Sequence, residues 1–394
     1  MSIDVSLIIP TRDRGTYLEH SLRTCLANKH PSLEVLVLDN ASVDTTRSVV
    51  EANTDSRLRY LHSESRLSMR QNFERGLAAA RGDIVCFIGD DDGVFPDTVR
   101  TVVEMFSQLE VDAISAARAH YFWPDFLTSR KNTALLPRHS GWEIRNSREQ
   151  LKRVLLDDDY YKLPCVYHGF VRRNVLERIR KRQGGVFFLS NNVDIFSSIA
   201  VAMEDLRFAF SRSPLVINGG SGRSNGASHF GGGQAVEKAL WKKEDDLGFL
   251  APFADSLTMG SFIVESGLRF IQKSPSTTLA EMFGSTTLCR ALKNEAARRL
   301  AAGYTTESAE RPLRAASLTM GCDGSRHRRI SPLARLSRLL RSYEQHLPVM
   351  TDTYGVSNVS GAAILLAELR NGHRTGFLCN PVRQLQAALR LAGG

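Results

Sequence analysis

Asp83-Ile-Val-Cys-Phe-Ile-Gly-Asp-Asp-Asp-Gly-Val-Phe-Pro-Asp97 runs from an apolar strand straight into three consecutive carboxylates, Asp90, Asp91 and Asp92. Adjacent acids repel one another, and burying them is costly unless a cation neutralises them. Their position matters as much as their charge, because ligands of open parallel sheets bind in the crevice beyond the carboxyl ends of the strands. The stretch therefore predicts a site for a divalent metal, Mn2+ or Mg2+, holding a phosphorylated ligand. Such ions take oxygen ligands from one or two carboxylates and complete their shell with water and diphosphate. A solvated acidic turn is the alternative reading of these residues alone.

Upstream, Val5 to Pro10, Glu34 to Asp39 and Arg57 to Leu61 are short apolar runs, separated by helical patterns near 15–28, 42–53 and 68–81. Strands alternating with helices imply a parallel sheet covered on both faces. The third helix is the best marked: Ser68 and Gln71 form a capping-box pair, Phe73, Leu77 and Ala80 share a face, and Gly82 stands where a left-handed cap belongs. A further helix is expected over 96–109, with Pro96 in its first turn. Downstream the pattern predicts strands near 112–116, 165–172 and 207–217, and helices at 147–156, 174–182 and 193–203. Seven glycines between Gly219 and Gly233 are expected to keep that stretch from being the interior of a helix or strand. From residue 234 onward the pattern is helical, so a boundary is expected near residue 233.

With 394 residues, 42% hydrophobic and 24% charged, the chain is long enough for two domains, or for one domain with a helical extension. No apolar run approaches the roughly 20 residues of a membrane span, and no basic leader precedes Val5. The six cysteines are scattered without metal or disulfide spacing, which suits a cytoplasmic protein. Net charge is +9, and residues 301–394 supply much of it, with 12 Arg, no Lys and 6 acids. Within that tail, Ile330, Leu333, Leu336, Leu340 and Tyr343 recur at helical spacing beside Arg335, Arg338 and Arg341. The stripe reads as core packing with a solvated face, or as peripheral attachment to the anionic inner face of a membrane.

Neither G-x-G-x-x-G nor G-x-x-x-x-G-K-[ST] is present. The first strand ends instead in Pro10-Thr11-Arg12-Asp13-Arg14-Gly15, and the second in Asp39, which either caps the next helix or accepts from a ribose hydroxyl or base imide. Asp44 and Ser42 already suit the capping role.

Four series in order, Val5 to Arg14, Val37-Leu-Asp-Asn-Ala-Ser-Val-Asp-Thr-Thr46, Leu67-Ser-Met-Arg-Gln-Asn72 and Ala80 to Asp92, resemble family 2 glycosyltransferases of the GT-A fold. The resemblance covers about the first 120 residues. It implies a Rossmann-like, mostly parallel α/β sheet flanked by helices. Residues 1–120 would be a nucleotide-binding half and 121–233 an acceptor-binding half, with a mainly helical region over 234–394. It further implies an inverting transferase that uses a nucleotide-diphosphate sugar, first of all a UDP-sugar, with a divalent metal and a saccharide or lipid-linked acceptor, in cell-surface polysaccharide or glycolipid synthesis. Pro10, Thr11 and Arg14 would border the nucleotide, Asp39 would contact the base, and Arg70 or Asn72 would lie near base or diphosphate. Asp90 would face the ribose, and Asp91 and Asp92 the metal. Gly89 departs from the commoner D-x-D-D motif, which leaves the division of labour among the three acids open.

Inverting transfer needs a general base for the acceptor hydroxyl. Asp194, in Ser190-Asn-Asn-Val-Asp-Ile-Phe-Ser-Ser198, is the candidate, and is equally an acid favoured in the first turn of a helix. Asp157, Asp158 and Asp159 form a second acidic run that reads as a helix end in solvent. In the glycine-rich loop, His229 is either an extra metal ligand or a polar loop residue, and Arg223 either clamps the diphosphate or is a solvated charge. His168 is expected to be structural or to line the acceptor pocket. The competing functions are a sugar-phosphate nucleotidyltransferase, whose G-x-G-T-R-type opening loop is missing, and a non-catalytic nucleotide-sugar binder. A basic tail alone also suits a nucleic-acid protein, but no nucleic acid is expected as partner.

Overall fold

The computed structural model describes residues 4–126, 129–224, 243–250, 253, 256, 258–301, 303–320 and 345–372. Strands β1 (Val5–Thr11), β2 (Leu33–Asp39), β3 (Leu58–His62) and β4 (Ile84–Phe87) lie parallel in the order β3-β2-β1-β4. Helices α1 (Gly15–Ala27), α2 (Thr46–Glu51) and α3 (Met69–Ala79) connect them. All seven residues of β2, all four of β4 and six of the seven of β1 are buried, which is why these three strands read as continuous apolar runs rather than alternating ones. Thr11 pairs with Asp39 and Ile8 with Phe87, so the ends of β1, β2 and β4 open on one edge. The capping box of α3 forms as expected, with Ser68 accepting from Gln71 N and Gln71 closing back on Ser68 N. Gly82 does not take the left-handed conformation. It is needed because a Cβ there would come within 2.6 Å of Ser6 N, where β1 crosses the chain.

The sheet continues past β4 with β10 (Phe170–Arg172), antiparallel to both β4 and β6 (Ala113–Ala116), then β11 (Arg207–Ser211) and β9 (Trp142–Asn146). Helices α4 (Thr98–Gln108), α5 (Ser147–Asp157), α6 (Arg173–Arg182) and α7 (Val193–Ala202) flank it. This is the expected mixed α/β arrangement with a large, parallel-rich sheet.

A second sheet departs from the sequence expectation. Its order is β13-β8-β7-β12-β5, built from β5 (Gly93–Val94), β7 (Ala119–Phe122), β8 (Thr133–Pro137), β12 (Val216–Gly220) and β13 (His346–Met350). The single strand expected over 207–217 breaks at Ser213-Pro214, since proline cannot donate to a ladder, and its halves enter different sheets as β11 and β12. The C-terminal region is mainly helical, as expected, with α8 (Met259–Lys273), α9 (Thr277–Met282), α10 (Ser285–Ala301) and α11 (Thr306–Met320). Two of its elements instead return to the N-terminal half: β13 pairs with β8, and α12 (Val359–Arg370) packs on α1. Arg370, at the end of α12, adds an ion pair at 2.8 Å to Asp97, the residue before α4. Cys25, Cys86 and Cys165 are free and buried, whereas Cys289 is disulfide-bonded, a pairing the scattered spacing does not announce. No helix among the described residues is long and apolar enough to cross a membrane, and residues 326–344 of the basic tail lie outside the described residues.

Candidate active site

The three acids stand just past β4, all buried, at the mouth of a cavity of about 660 Å³. Asp90 is fixed from β1 and the start of α1: Thr11 Oγ1 donates to it at 2.8 Å and Arg14 Nη1 at 3.1 Å. Burial raises its pKa, with Arg14 and Thr11 pulling the other way. Asp91 accepts from the hydroxyls of Ser221 and Ser224, each at 2.6 Å. Burial first, and the charge of Asp92 second, push its pKa up to about 7. Two serine hydroxyls thus do not stabilise its charge as a cation would.

Asp92 is differently placed. Oδ1 accepts from Gly219 N at 2.7 Å, and Oδ2 accepts from Gly89 N at 2.5 Å, Tyr167 OH at 3.0 Å and His168 Nε2 at 2.5 Å. Burial opposes its ionisation, but His168 and the backbone donors hold its pKa below the ordinary value. Burial lowers the pKa of His168 while Asp92 pulls it the other way, and its Nδ1 meets no partner among the described residues, so Nε2 is the nitrogen that presents a proton to Asp92. Two consecutive side chains reach one oxygen because His168 adopts a left-handed backbone, φ 66°, at a cost of about 1–3 kcal/mol. The same web accounts for Gly89: a Cβ there would lie 2.8 Å from Asp92 Oδ2 and 2.9 Å from Tyr167 OH. The space of the missing acid is filled by Asp92. Gly219 is required as well, since its Cβ would fall 1.8 Å from the Asp91 carbonyl.

The other expected residues are distributed unevenly. Pro10, Thr11, Arg14, Asn72, the three acids and Asp194 line the cavity. Asn72 is buried on α3, donates to Leu38 O at 3.4 Å and accepts from Arg75 at 2.9 Å. Asp39 is held inside the protein: Ser42 N donates to it at 2.9 Å, Tyr60 OH at 2.5 Å, and His62 Nδ1 lies at 3.2 Å. Burial would raise its pKa, and these hydrogen bonds together bring it below the usual carboxylate value. Asp44 takes the capping duty, accepting from Thr46 N and Gly15 N at 2.9 Å each and so starting two helices at once. Asp194 sits in the first turn of α7, with Tyr160 OH donating to it at 2.5 Å. Asp157 and Asp159 pair with Lys162 at 3.0 Å each, as their solvent reading expects. His229 lies outside the described residues.

Residues 243–250 bring in a feature that sequence reasoning missed. Glu244 pairs with Arg12, and Asp246 with Arg70. Asp245 accepts from Asn191, whose own side-chain oxygen receives Arg70 N at 3.0 Å. Arg223 is tied in nearby, its carbonyl accepting from Arg14 and its guanidinium donating to Asp13 O. The run Glu244-Asp245-Asp246 was the available signal, but only the fold shows which cations it meets. Among the described residues no group of three or more His, Cys, Asp and Glu side chains is arranged to hold a metal ion. A metal here would draw on few protein ligands, principally Asp91, together with the ligand's own oxygens.

The family model described as Glycosyl transferase family 2 matches residues 6–180, which carry all of these acids except Asp194 and the 244–246 run. The chain has a family 2 glycosyltransferase domain. Glycosyltransferase GlyG of Streptococcus pneumoniae is 24% identical over 116 residues, 29% of this chain and 38% of that protein. The GalNAc(5)-diNAcBac-PP-undecaprenol beta-1,3-glucosyltransferase of Campylobacter jejuni is 31% identical over 103 residues, 25% of this chain and 33% of the relative. The glycosyltransferase domain thus matches only about a third of the length of such curated relatives. Among solved structures, TarS 1-349 of S. aureus superposes with a TM-score of 0.45 at 14% identity, covering 84% of this chain and 95% of that one. The mannosyltransferase PcManGT of Pyrobaculum calidifontis, solved with GDP-Man and Mn2+, gives 0.42 at 19% identity, covering 81% and 88%.

Proposed function

We propose that the protein transfers a sugar from a nucleotide-diphosphate donor, UDP-linked in the first instance, to an acceptor hydroxyl with inversion, assisted by a divalent metal. The carrying observation is the triple acid at the tip of β4, with Asp90 fastened by Thr11 and Arg14 and Asp91 raised to about 7. Asp90 would accept from the ribose, and Asp91 would hold the metal. Asp92 acts as a positioning residue rather than a ligand, because four protein donors fill its two oxygens, against two donors on Asp90. A metal at Asp91 supplies electrostatic stabilisation of the charge that builds on the departing diphosphate.

Arg14, and Arg12 and Arg70 once free of their acids, supply further positive charge to the diphosphate. Asn72 borders the nucleotide, while Asp39, buried under Ser42, Tyr60 and His62, acts by stiffening the end of β2 rather than by contacting the base. Across the cavity, Asp194 is the general base, oriented by the hydroxyl of Tyr160. Saccharide and lipid-linked acceptors suit this reading, as does a part in cell-surface polysaccharide or glycolipid synthesis.

Screening nucleotide sugars for metal-dependent release of nucleoside diphosphate tests the proposal. Asp194→Asn should lower kcat by about 10² to 10⁴ with donor KM nearly unchanged. Turnover at wild-type rate in that variant would remove Asp194 from the reaction. Absence of metal-dependent turnover with every common activated sugar would remove the transferase reading.

A further inference from the structure

Arg12 and Arg14, on the donor side of the cavity, are neutralised by Glu244 and Asp90. Arg118, on the opposite side, has no such ion pair among the described residues. It stands between β6 and β7, half-buried, and lines the cavity with Asp194, Tyr160 and Tyr161. Its guanidinium stacks 3.9 Å from the ring centre of Tyr161 and 5.9 Å from that of Tyr160. Among the described residues no hydrogen bond or ion pair satisfies its donors. The neighbouring carboxylate, Asp194, is engaged by Tyr160 OH.

Burial works against this cation and the nearby Asp194 works for it, but no carboxylate or carbonyl takes its N–H donors among the described residues. Stacking covers the face of the guanidinium and leaves its edge, a planar fork of N–H donors that matches a carboxylate or phosphate. Sugar hydroxyls could accept from these donors but would not neutralise the charge. We propose that Arg118 is an anion subsite on the acceptor side, so that the preferred acceptor carries a phosphate or carboxylate near the hydroxyl presented to Asp194. This rests on the transferase reading and adds the acceptor's charge to it. The anion also gives Arg118 a function in catalysis: with its charge engaged, an anionic acceptor can approach Asp194 without net repulsion.

The test is calorimetric titration of methyl glucoside, methyl glucuronide and glucose 6-phosphate into the full-length protein, with and without saturating UDP and Mn2+. At least one charged saccharide should bind about tenfold more tightly than the neutral one, and the tighter of the two identifies carboxylate or phosphate. In Arg118→Gln that preference should fall to about twofold or less, and Arg118→Lys, which keeps the charge without the fork, should retain part of it. Equal binding of charged and neutral saccharides by the wild type, an undiminished preference in Arg118→Gln, or displacement of the charged saccharide by UDP overturns the proposal. UDP binding is read separately in the same samples, so its failure counts against the donor assignment while the anion preference stands or falls on its own arms.

Discussion

Asp91 holds a proton in the folded chain over a range in which an unfolded chain has already lost it, because burial and Asp92 raise its pKa from 3.8 to about 7. The associated stability is complete below the unfolded value, declines as pH rises toward 7, and changes no further above it. Asp90 is shifted in the same direction. In EDTA the melting temperature of the wild type should therefore fall between about pH 4 and pH 7, and Asp91→Asn should flatten much of that fall. Mn2+ with UDP should restore stability to the wild type at pH 7.5 but not to the variant. A pH-independent difference between the two proteins would contradict this account. Gly89 makes an opposite kind of test: Gly89→Asp recreates the commoner motif in sequence yet drives a side chain into Asp92 and Tyr167. It should destabilise the protein by about 1–3 kcal/mol, read from urea denaturation, and a neutral result would mean that the Asp92 web is easily rearranged. The triple acid was legible because its charge density is improbable without a purpose. The inward turn of Asp92 was not, since Tyr167, His168 and Gly219 reach it from far along the chain.

Two strand ends and one short acidic segment frame the donor side. Residues 244–246 engage Arg12 and Asn191, which line the cavity, and Arg70 beside Asn191. Donor binding then competes with these acids for the arginines. The double variant Glu244→Gln, Asp246→Asn should tighten UDP binding by about threefold to tenfold at low salt, with the gain shrinking as ionic strength rises. Weaker binding would instead make the segment part of the donor site. The elements of the first sheet up to β4 were readable from continuous apolar runs and helix caps, with ends shifted by one to four residues. The strands of the second sheet were not, because β5, β7 and β8 span two to five residues each and carry no periodicity long enough to separate from a loop.

The C-terminal region also enters the N-terminal half as structure. β13 and α12 bury Leu347, Val349, Val359, Leu365 and Leu366 against the second sheet and α1, the layer that carries β12 and thus Gly219 beneath Asp91. At about 1.5–3 kcal/mol for each buried side chain, their removal would cost roughly 10 kcal/mol, comparable to the whole stability of a domain. Deleting residues 345–394 should thus yield insoluble or unfolded protein rather than a trimmed enzyme. A truncated chain that melts cooperatively near the wild-type temperature would show that these elements are an appendage. Local sequence was sufficient for the parallel strands, their connecting helices and the acids at their ends, because hydrophobic period, capping and charge act over a few neighbouring residues. Which acid turns inward, which arginine is left without an ion pair and how the far end of the chain completes the second sheet depended on tertiary structure. Those outcomes are set by volume and charge shared between residues tens to hundreds of positions apart, a balance that no local pattern records.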